Sequence, residues 1–336
     1  MSSPEWRVAL VGCGVISPNH LGALRDISGV TVVALCDVKR ECAEARRDEF
    51  CPDAAVYTEY IRMLDEEKPD AVHICTPHYL HADMTIEALR RDINVFLEKP
   101  ACMTEDEIPR LLEAERASRG KVCVCFQNRT NDAVVEMKHR IVKYGGREAI
   151  KGCRAMVSWY RNAHYYSDDW HGRMATEGGG VLINQAIHTL DLLLYLCGEP
   201  EWVEASIANR HLAGITEVED SADLRYGFGG GKTAIFHAST AYVTDSPNFV
   251  EVLMPEHTLV LYGTTLFDNC EPVVGLGRSA PMRGKVCYGV GHACIIPAFY
   301  DALDEGTEMP VTLSSAMHAV RILLAAYRSD NARVDL

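Results

Sequence analysis

The chain has 336 residues, 48% of them hydrophobic, with 33 Lys+Arg against 47 Asp+Glu and a formal net charge of −14. That length buries a sizeable core and predicts two domains. The charge argues against a nucleic-acid partner or an anionic membrane surface. No apolar run reaches the length of a bilayer span, and Met1–Trp6 lacks the apolar core of a signal peptide, so no membrane association is expected. Thirteen cysteines, many in apolar runs (Cys36, Cys75, Cys123, Cys125), read as buried thiols of a cytoplasmic protein and not as a disulfide framework.

The apolar run Arg7–Val11 predicts a buried parallel strand. Gly12-Cys13-Gly14-Val15-Ile16-Ser17 follows at once and matches G-x-G-x-x-G except for Ser17 at the third glycine. Such a turn admits a pyrophosphate against the backbone, and the helix after it, with Pro18 in its first turn, offers free N–H groups to the phosphates. A second strand, Val30–Cys36, ends in Asp37. An acid there accepts hydrogen bonds from the ribose hydroxyls of NAD and repels a 2′-phosphate, which favours NAD. Lys39 and Arg40 follow closely and keep NADP open. The other reading of Asp37 is a helix N-cap.

Strands Asp70–Cys75, Ile93–Leu97 and Lys121–Phe126 alternate with helices over His81–Arg91 and Thr104–Arg119, the latter with Glu107 placed for a capping box. Alternation of this kind predicts a doubly wound parallel sheet, whose ligands lie beyond the carboxyl ends of the strands. Gly12, Asp37, Thr76, Lys99 and Gln127 all fall there. Lys99 reads either as a surface lysine or as a proton partner whose pKa is lowered beside a positively charged nicotinamide. A metal is not expected: Cys123 and Cys125 have strand alternation, not zinc-ligand spacing, and His78 and His81 lack a third ligand.

The composition changes after residue 126, which predicts a dinucleotide-binding domain over 1–126 and a second α/β domain over 127–336. Ile150–Arg161, Trp202–Leu212, Ala222–Phe228, Lys232–Tyr242, Phe249–Met254 and Leu259–Tyr262 read as strands of an open, largely antiparallel sheet, with Gly229–Gly231 as a hairpin turn. Ile295–Asp304 and Ser314–Tyr327 read as closing helices. Between the first two strands, Gly178-Gly179-Gly180 opens a helix apolar nearly all round. Asn184, His188 and Asp191 line one face of it. By itself this favours a structural histidine over a catalytic one.

The motifs V-G-C-G-V-I-S-P-N-H (11–20), C-T-P-H-Y-L-H (75–81), L-E-K-P (97–100), F-Q-N-R (126–129), W-H-G (170–172), E-G-G-G-V-L-I-N-Q-A-I-H-T-L-D (177–191) and I-I-P-A-F-Y-D-A-L (295–303) resemble the Gfo/Idh/MocA oxidoreductase family along essentially the whole chain. The resemblance implies a Rossmann domain followed by an open-sheet α/β domain. It gives Lys99 and His188 as the catalytic pair, with His188 accepting a hydroxyl proton and the Lys99 ammonium stabilising the alkoxide. It also implies a cis bond before Pro100. Many members carry an aspartate where this chain has Asn184, so Asn184 is assigned to positioning; the family's W-R-G is Trp170-His171-Gly172 here.

The cofactor contacts expected are Gly12, Gly14, Val15, Ile16, Asp37, Thr76, Pro77, His81, Glu98, Lys99 and Gln127. The substrate contacts expected are Lys99, Arg129, Tyr160, Trp170, Asn184 and His188. Asp191 is left between orienting the His188 ring and bonding backbone. The function implied is hydride transfer between NAD(P) and a secondary hydroxyl of a sugar, sugar derivative or cyclitol. A glycosidase with permanently held NAD and a non-catalytic dinucleotide sensor are the alternatives. A homodimer or homotetramer through the open sheet is the family expectation.

Overall fold

The computed structural model describes residues 5–276 and 291–336, and every count below refers to them. The chain divides into two compact units. One runs to Phe126 and takes in His292–Ala316; the other begins at Gln127 and takes in Met317–Leu336. The sequence reading drew a single crossing at 126. The return to the first unit was not legible because the aromatic residues that bring it about, Phe299 and Tyr300, meet Phe96 and His73 only in three dimensions.

In the first unit β1 (Trp6–Val11), β2 (Val30–Cys36), β3 (Ala55–Tyr57), β4 (Ala71–Ile74), β5 (Asn94–Leu97) and β6 (Val122–Val124) form a parallel sheet of order β3-β2-β1-β4-β5-β6. Helices α1 (Ser17–Arg25), α2 (Arg40–Phe50), α3 (Tyr60–Glu67), α4 (His81–Leu89) and α5 (Glu107–Ala117) connect successive strands. The four residues of β4 are all buried, as a parallel strand covered on both faces requires. The strand order reverses at β1 and β4, where Val11 pairs with Ile74, and that switch point is where such sheets take their ligands. β3 was not anticipated, since three residues are too few to show a pattern. Glu107 accepts the backbone N–H of Thr104 at 2.9 Å, the carboxylate half of the expected capping box, although the helix itself starts only at Glu107.

The second unit holds α6 (Asp132–Lys143), β7 (Gly152–Ser158), the short α7 (Met174–Glu177), α8 (Ile187–Cys197) and strands β8 (Trp202–Ala208) to β15 (Val334–Asp335). The intervening strands are β9 (Ser221–Gly227), β10 (Thr233–Ser239), β11 (Phe249–Leu253), β12 (Thr258–Tyr262), β13 (Thr265–Asp268) and β14 (Glu271–Pro272). They form a nine-stranded sheet, β14-β13-β12-β11-β7-β10-β9-β8-β15. All its pairs are antiparallel except β7 with β10. Gly229–Gly231 joins β9 to β10 as the expected hairpin. Burial alternates along β7, β9 and β10, so one face is core and the other is open. On the core side α8 packs against β7 and β11. Helices α9 (Gly291–Glu305) and α10 (Leu313–Ser329) close the chain.

One stretch, Met174–Cys197, is long and apolar enough to cross a bilayer by length and composition, contrary to the sequence reading. Ninety-four per cent of its most apolar window is buried inside the protein, as for a core helix. Twelve described cysteines are all free thiols.

Candidate active site

The glycine turn after β1 is built around a close backbone approach. Gly12 has φ +88°, and a Cβ there would lie 2.5 Å from the carbonyl carbon and oxygen of Cys75. Gly14 has nothing within 4 Å of its Cβ position, so the turn leaves an open cradle before α1. Ser17, in place of the third glycine, is buried, and its hydroxyl donates to the Gly14 carbonyl at 2.8 Å. The hydroxyl thus closes the turn from within, and the helix start remains directed at the cradle. Asp37 at the end of β2 accepts the Cys13 N–H (2.8 Å) on one oxygen and the Lys39 N–H (2.8 Å) on the other. It pins the glycine turn while keeping lone pairs for ribose hydroxyls. The open cradle, the helix N-terminus and the acid together fit the pyrophosphate and ribose of NAD.

Val15, 92% exposed, and half-buried Ile16 form the rim of this turn. Thr76 and Pro77 follow β4 and Glu98 follows β5, with Lys99 half-buried beside it and the Lys99–Pro100 bond cis. His81 is fully buried, its Nδ1 2.6 Å from the Pro100 carbonyl and its Nε2 2.8 Å from the Thr76 carbonyl. It ties the two loops of the cradle together, and burial pushes its pKa down. Gln127 is the first residue of the second unit and accepts the Thr130 hydroxyl on its backbone carbonyl. A separate cavity of about 450 Å³ opens at the amino ends of the strands, where Arg91 and Arg119 are already paired with Asp65 and Asp92.

The glycine run of the second unit is also fixed by close approach. A Cβ on Gly180 would fall 1.9 Å from the Glu219 carbonyl oxygen. The buried Glu219 carboxylate accepts the N–H groups of Gly180 (2.8 Å) and Leu182 (3.0 Å) and the Tyr327 hydroxyl (2.9 Å), so it caps the helix from another strand's approach. Leu182–Ala186 is wound as a π-turn, with the Ala186 N–H bonding the Val181 carbonyl five residues back. Asn184 lies in that turn and His188 in the first turn of α8, both nearly buried.

Asn184 donates to Glu177 at 2.5 Å and to the Tyr165 hydroxyl at 3.2 Å. Glu177 also accepts the Gly172 N–H at 2.5 Å. A carboxylate only accepts, so the Asn184 amide nitrogen is turned to Glu177 and its carbonyl oxygen away. Tyr165 also takes the Gln185 amide at 3.2 Å, and burial pushes its pKa up to about 12.

Asp191 has a partner that the sequence did not suggest. It is a bidentate partner of Arg129, with Nε at 2.8 Å and Nη2 at 2.5 Å, and both side chains are buried. The ring of Tyr195 lies 4.9 Å from the same guanidinium. Trp170 lies tilted against His171, ring centroids 3.7 Å apart, and His171 bonds Asp168. Tyr160 is 45% exposed, its N–H bonded to Asp245. Glu177, Tyr165 and Glu219 were missed by sequence reasoning. Glu177 stood in the quoted motif, immediately before the glycines; the other two carried no local signal.

Residues 6–130 match the family model described as "Oxidoreductase family, NAD-binding Rossmann fold", and residues 139–265 the one described as "GFO/IDH/MocA C-terminal domain". An inositol 2-dehydrogenase of Salmonella typhimurium is 32% identical over 137 residues, 40% of this chain and 41% of that protein. A D-glucoside 3-dehydrogenase of Escherichia coli K12 is 26% identical over 202 residues, 60% and 56% of the two chains. The match therefore spans about two fifths to somewhat over half the length of these curated relatives. The solved WlbA dehydrogenase from Bordetella pertussis, in complex with NADH and UDP-GlcNAcA, is 25% identical, with a TM-score of 0.82 over 99% of each chain. A levoglucosan dehydrogenase, in complex with NADH and levoglucosan, shares the fold with a TM-score of 0.86 over 98% of this chain and 99% of that one, at 19% identity.

Proposed function

Since this chain belongs to the GFO/IDH/MocA family of NAD-binding oxidoreductases, we propose that it oxidises or reduces one secondary hydroxyl position of a sugar, sugar derivative or cyclitol. The observation that carries this reading is the Asn184 amide, fixed by Glu177 and Tyr165 one helical turn before His188. Its carbonyl oxygen is the acceptor for a substrate hydroxyl, and an imidazole next along the helix is the base for the reacting one. His188 takes the hydroxyl proton. Lys99 supplies positive charge against the developing alkoxide. NAD, when bound, supplies the hydride-accepting chemistry, and Gly12, Gly14 and Asp37 are the residues that hold it. The inositol and glucoside named for the curated relatives support a multiply hydroxylated ring, and the UDP-GlcNAcA bound to the WlbA dehydrogenase keeps a nucleotide-linked sugar derivative within that class.

The test is a panel of cyclitols, free sugars and glycosides assayed for NADH formation. Oxidation of at least one member is expected, with His188→Ala lowering turnover at least about a hundredfold while NADH binding persists. Glycoside cleavage without net NADH would favour the glycosidase reading instead. No turnover across the panel would favour a sensor.

A second proposal concerns assembly. The open face of the nine-stranded sheet carries Met156, Ile235, Leu253 and Tyr262, each between 41% and 60% exposed. Apolar side chains grouped on one face support self-association through that sheet.

A further inference from the structure

The core of the first unit contains a line of polar side chains that the reaction above does not use. His73 on β4 is fully buried, with its ring near parallel to those of Phe96 (4.8 Å, 17°) and Tyr300 (6.1 Å, 13°). Its Nε2 lies 3.0 Å from the Tyr300 hydroxyl, and its Nδ1 lies 2.9 Å from Nδ1 of His20 on α1. The His20 Nε2 is 3.0 Å from Glu98 Oε1, and Glu98 Oε2 accepts the Lys99 backbone N–H at 3.2 Å.

Chemistry fixes the direction of every one of these bonds. A carboxylate only accepts, so the proton of His20 sits on Nε2. Burial depresses the pKa of both histidines, so each ring carries one proton. His20 Nδ1 is then the acceptor for the His73 Nδ1–H, and His73 Nε2 accepts the Tyr300 O–H. Burial works to raise the Glu98 pKa, but the hydrogen bond from His20 and the His292 imidazole 3.6 Å away outweigh it and hold the carboxyl well below its usual range.

We propose that Tyr300, His73 and His20 are positioning residues: a one-way hydrogen-bond chain through the core that keeps the Glu98 carboxylate ionised and aimed at the Lys99 backbone. The Glu-Lys-Pro segment is thereby set from inside the sheet. The chain ends at a residue of the cofactor crevice, so the proposal rests on NAD binding and not on the identity of the substrate.

The groups facing Glu98 are His20 from α1, His73 from β4, Cys75 after β4, His81 from α4, Cys125 after β6, His292 from α9 and Lys99 beside it. Ligand-type atoms of His20, Glu98, Cys125 and His292 lie within 4.8 Å of one another, a grouping that could also suit a metal ion. A cation there would displace the proton assigned to His20 Nε2, so metal content is one arm of the test below.

The experiment measures NADH affinity by fluorescence against pH for the wild type, His20→Leu, His20→Gln and the double variant His20→Leu/Glu98→Gln. His20→Leu removes a donor from a buried carboxylate, which raises the pH at which Glu98 takes up a proton. From about pH 8 to about pH 6 its NADH affinity is expected to fall at least about tenfold more than that of the wild type. His20→Gln retains a donor and an acceptor and restores the wild-type profile. The double variant has no carboxyl to protonate and lacks the extra limb. Thermal melting of each variant confirms that folded protein is compared. A His20→Leu profile parallel to the wild type, an extra limb that survives Glu98→Gln, or a His20→Gln variant that behaves as His20→Leu overturns the proposal. So does one tightly held metal ion per chain in the purified protein.

Discussion

Replacing Asp191 by Asn is expected to destabilise the second unit severely without changing its shape. Asp191 and Arg129 are 2% and 8% exposed in their side chains and meet through two hydrogen bonds of 2.5 and 2.8 Å. Burial pushes the Asp191 pKa up and Arg129 pulls it back, so the guanidinium is what makes an ionised carboxylate tolerable there. The Asn amide would set an N–H against guanidinium N–H groups and strand a buried cation. Breaking a buried pair in this way costs about 3–5 kcal/mol. For a unit of this size each kcal/mol moves Tm by about 2–4 °C, so a fall on the order of 10 °C is expected in a calorimetric melt of Asp191→Asn. Replacing both partners by apolar residues, Arg129→Met with Asp191→Leu, is expected to recover most of the loss, because no charge is left alone. An Asp191→Asn variant melting within about 2 °C of the wild type would refute the assignment of Asp191 as the counter-ion of Arg129. A stable but inactive Asp191→Asn would move Asp191 into the chemistry.

The remaining expectations concern the cofactor turn, acid stability and assembly. Gly12→Ala drives a Cβ to 2.5 Å from backbone atoms of Cys75 and should weaken NADH binding at least about a hundredfold, since neither backbone can yield without opening the turn; calorimetric titration with NADH reads this. Asp220 accepts the backbone N–H groups of Arg210, His211 and Leu212 at 2.6–3.0 Å. Burial works to raise its pKa, but these bonds and the one from Ser221 hold it below its ordinary value. A depressed carboxyl contributes stability that is fully present above its unfolded pKa and lost as pH falls through the lower folded value. The gap in denaturation midpoint between wild type and Asp220→Asn should therefore be widest near neutral pH and close at acid pH. Equal gaps at both would exclude the Asp220 carboxylate as the cause. Sedimentation is expected to give a dimer or tetramer mass, and Ile235→Lys on the open sheet face should shift it towards monomer.

How much of this was legible in the sequence follows from which interactions are local. Strand β2 was read with its observed bounds because a seven-residue run, apolar except for Thr31 and ending at an acid, leaves little choice. The parallel sheet followed from the strand and helix alternation, and the Gly12 turn from two glycines against a strand end. The short strands β3 and β13–β15 were not read, because two to four residues show no period. The residues that hold the site in place were hidden for a different reason. Glu219 caps the helix of Gly180 from 39 positions away, Tyr165 reaches Asn184 across 19, and Tyr300 reaches His73 across 227.

The sequence by itself determined the residue types of the chemistry: a glycine turn before an acid, a lysine at a strand end, and an amide and an imidazole four apart on one apolar helix. Side-chain period and backbone sterics act over a few residues, so a one-dimensional pattern carries them. Only the tertiary structure decided that Asp191 is spent on Arg129, that Glu177 fixes the Asn184 amide, and that Glu98 is held from the core by His20. Each is a buried charge or dipole that must find a partner, and in a folded chain that partner is chosen by packing and not by sequence distance.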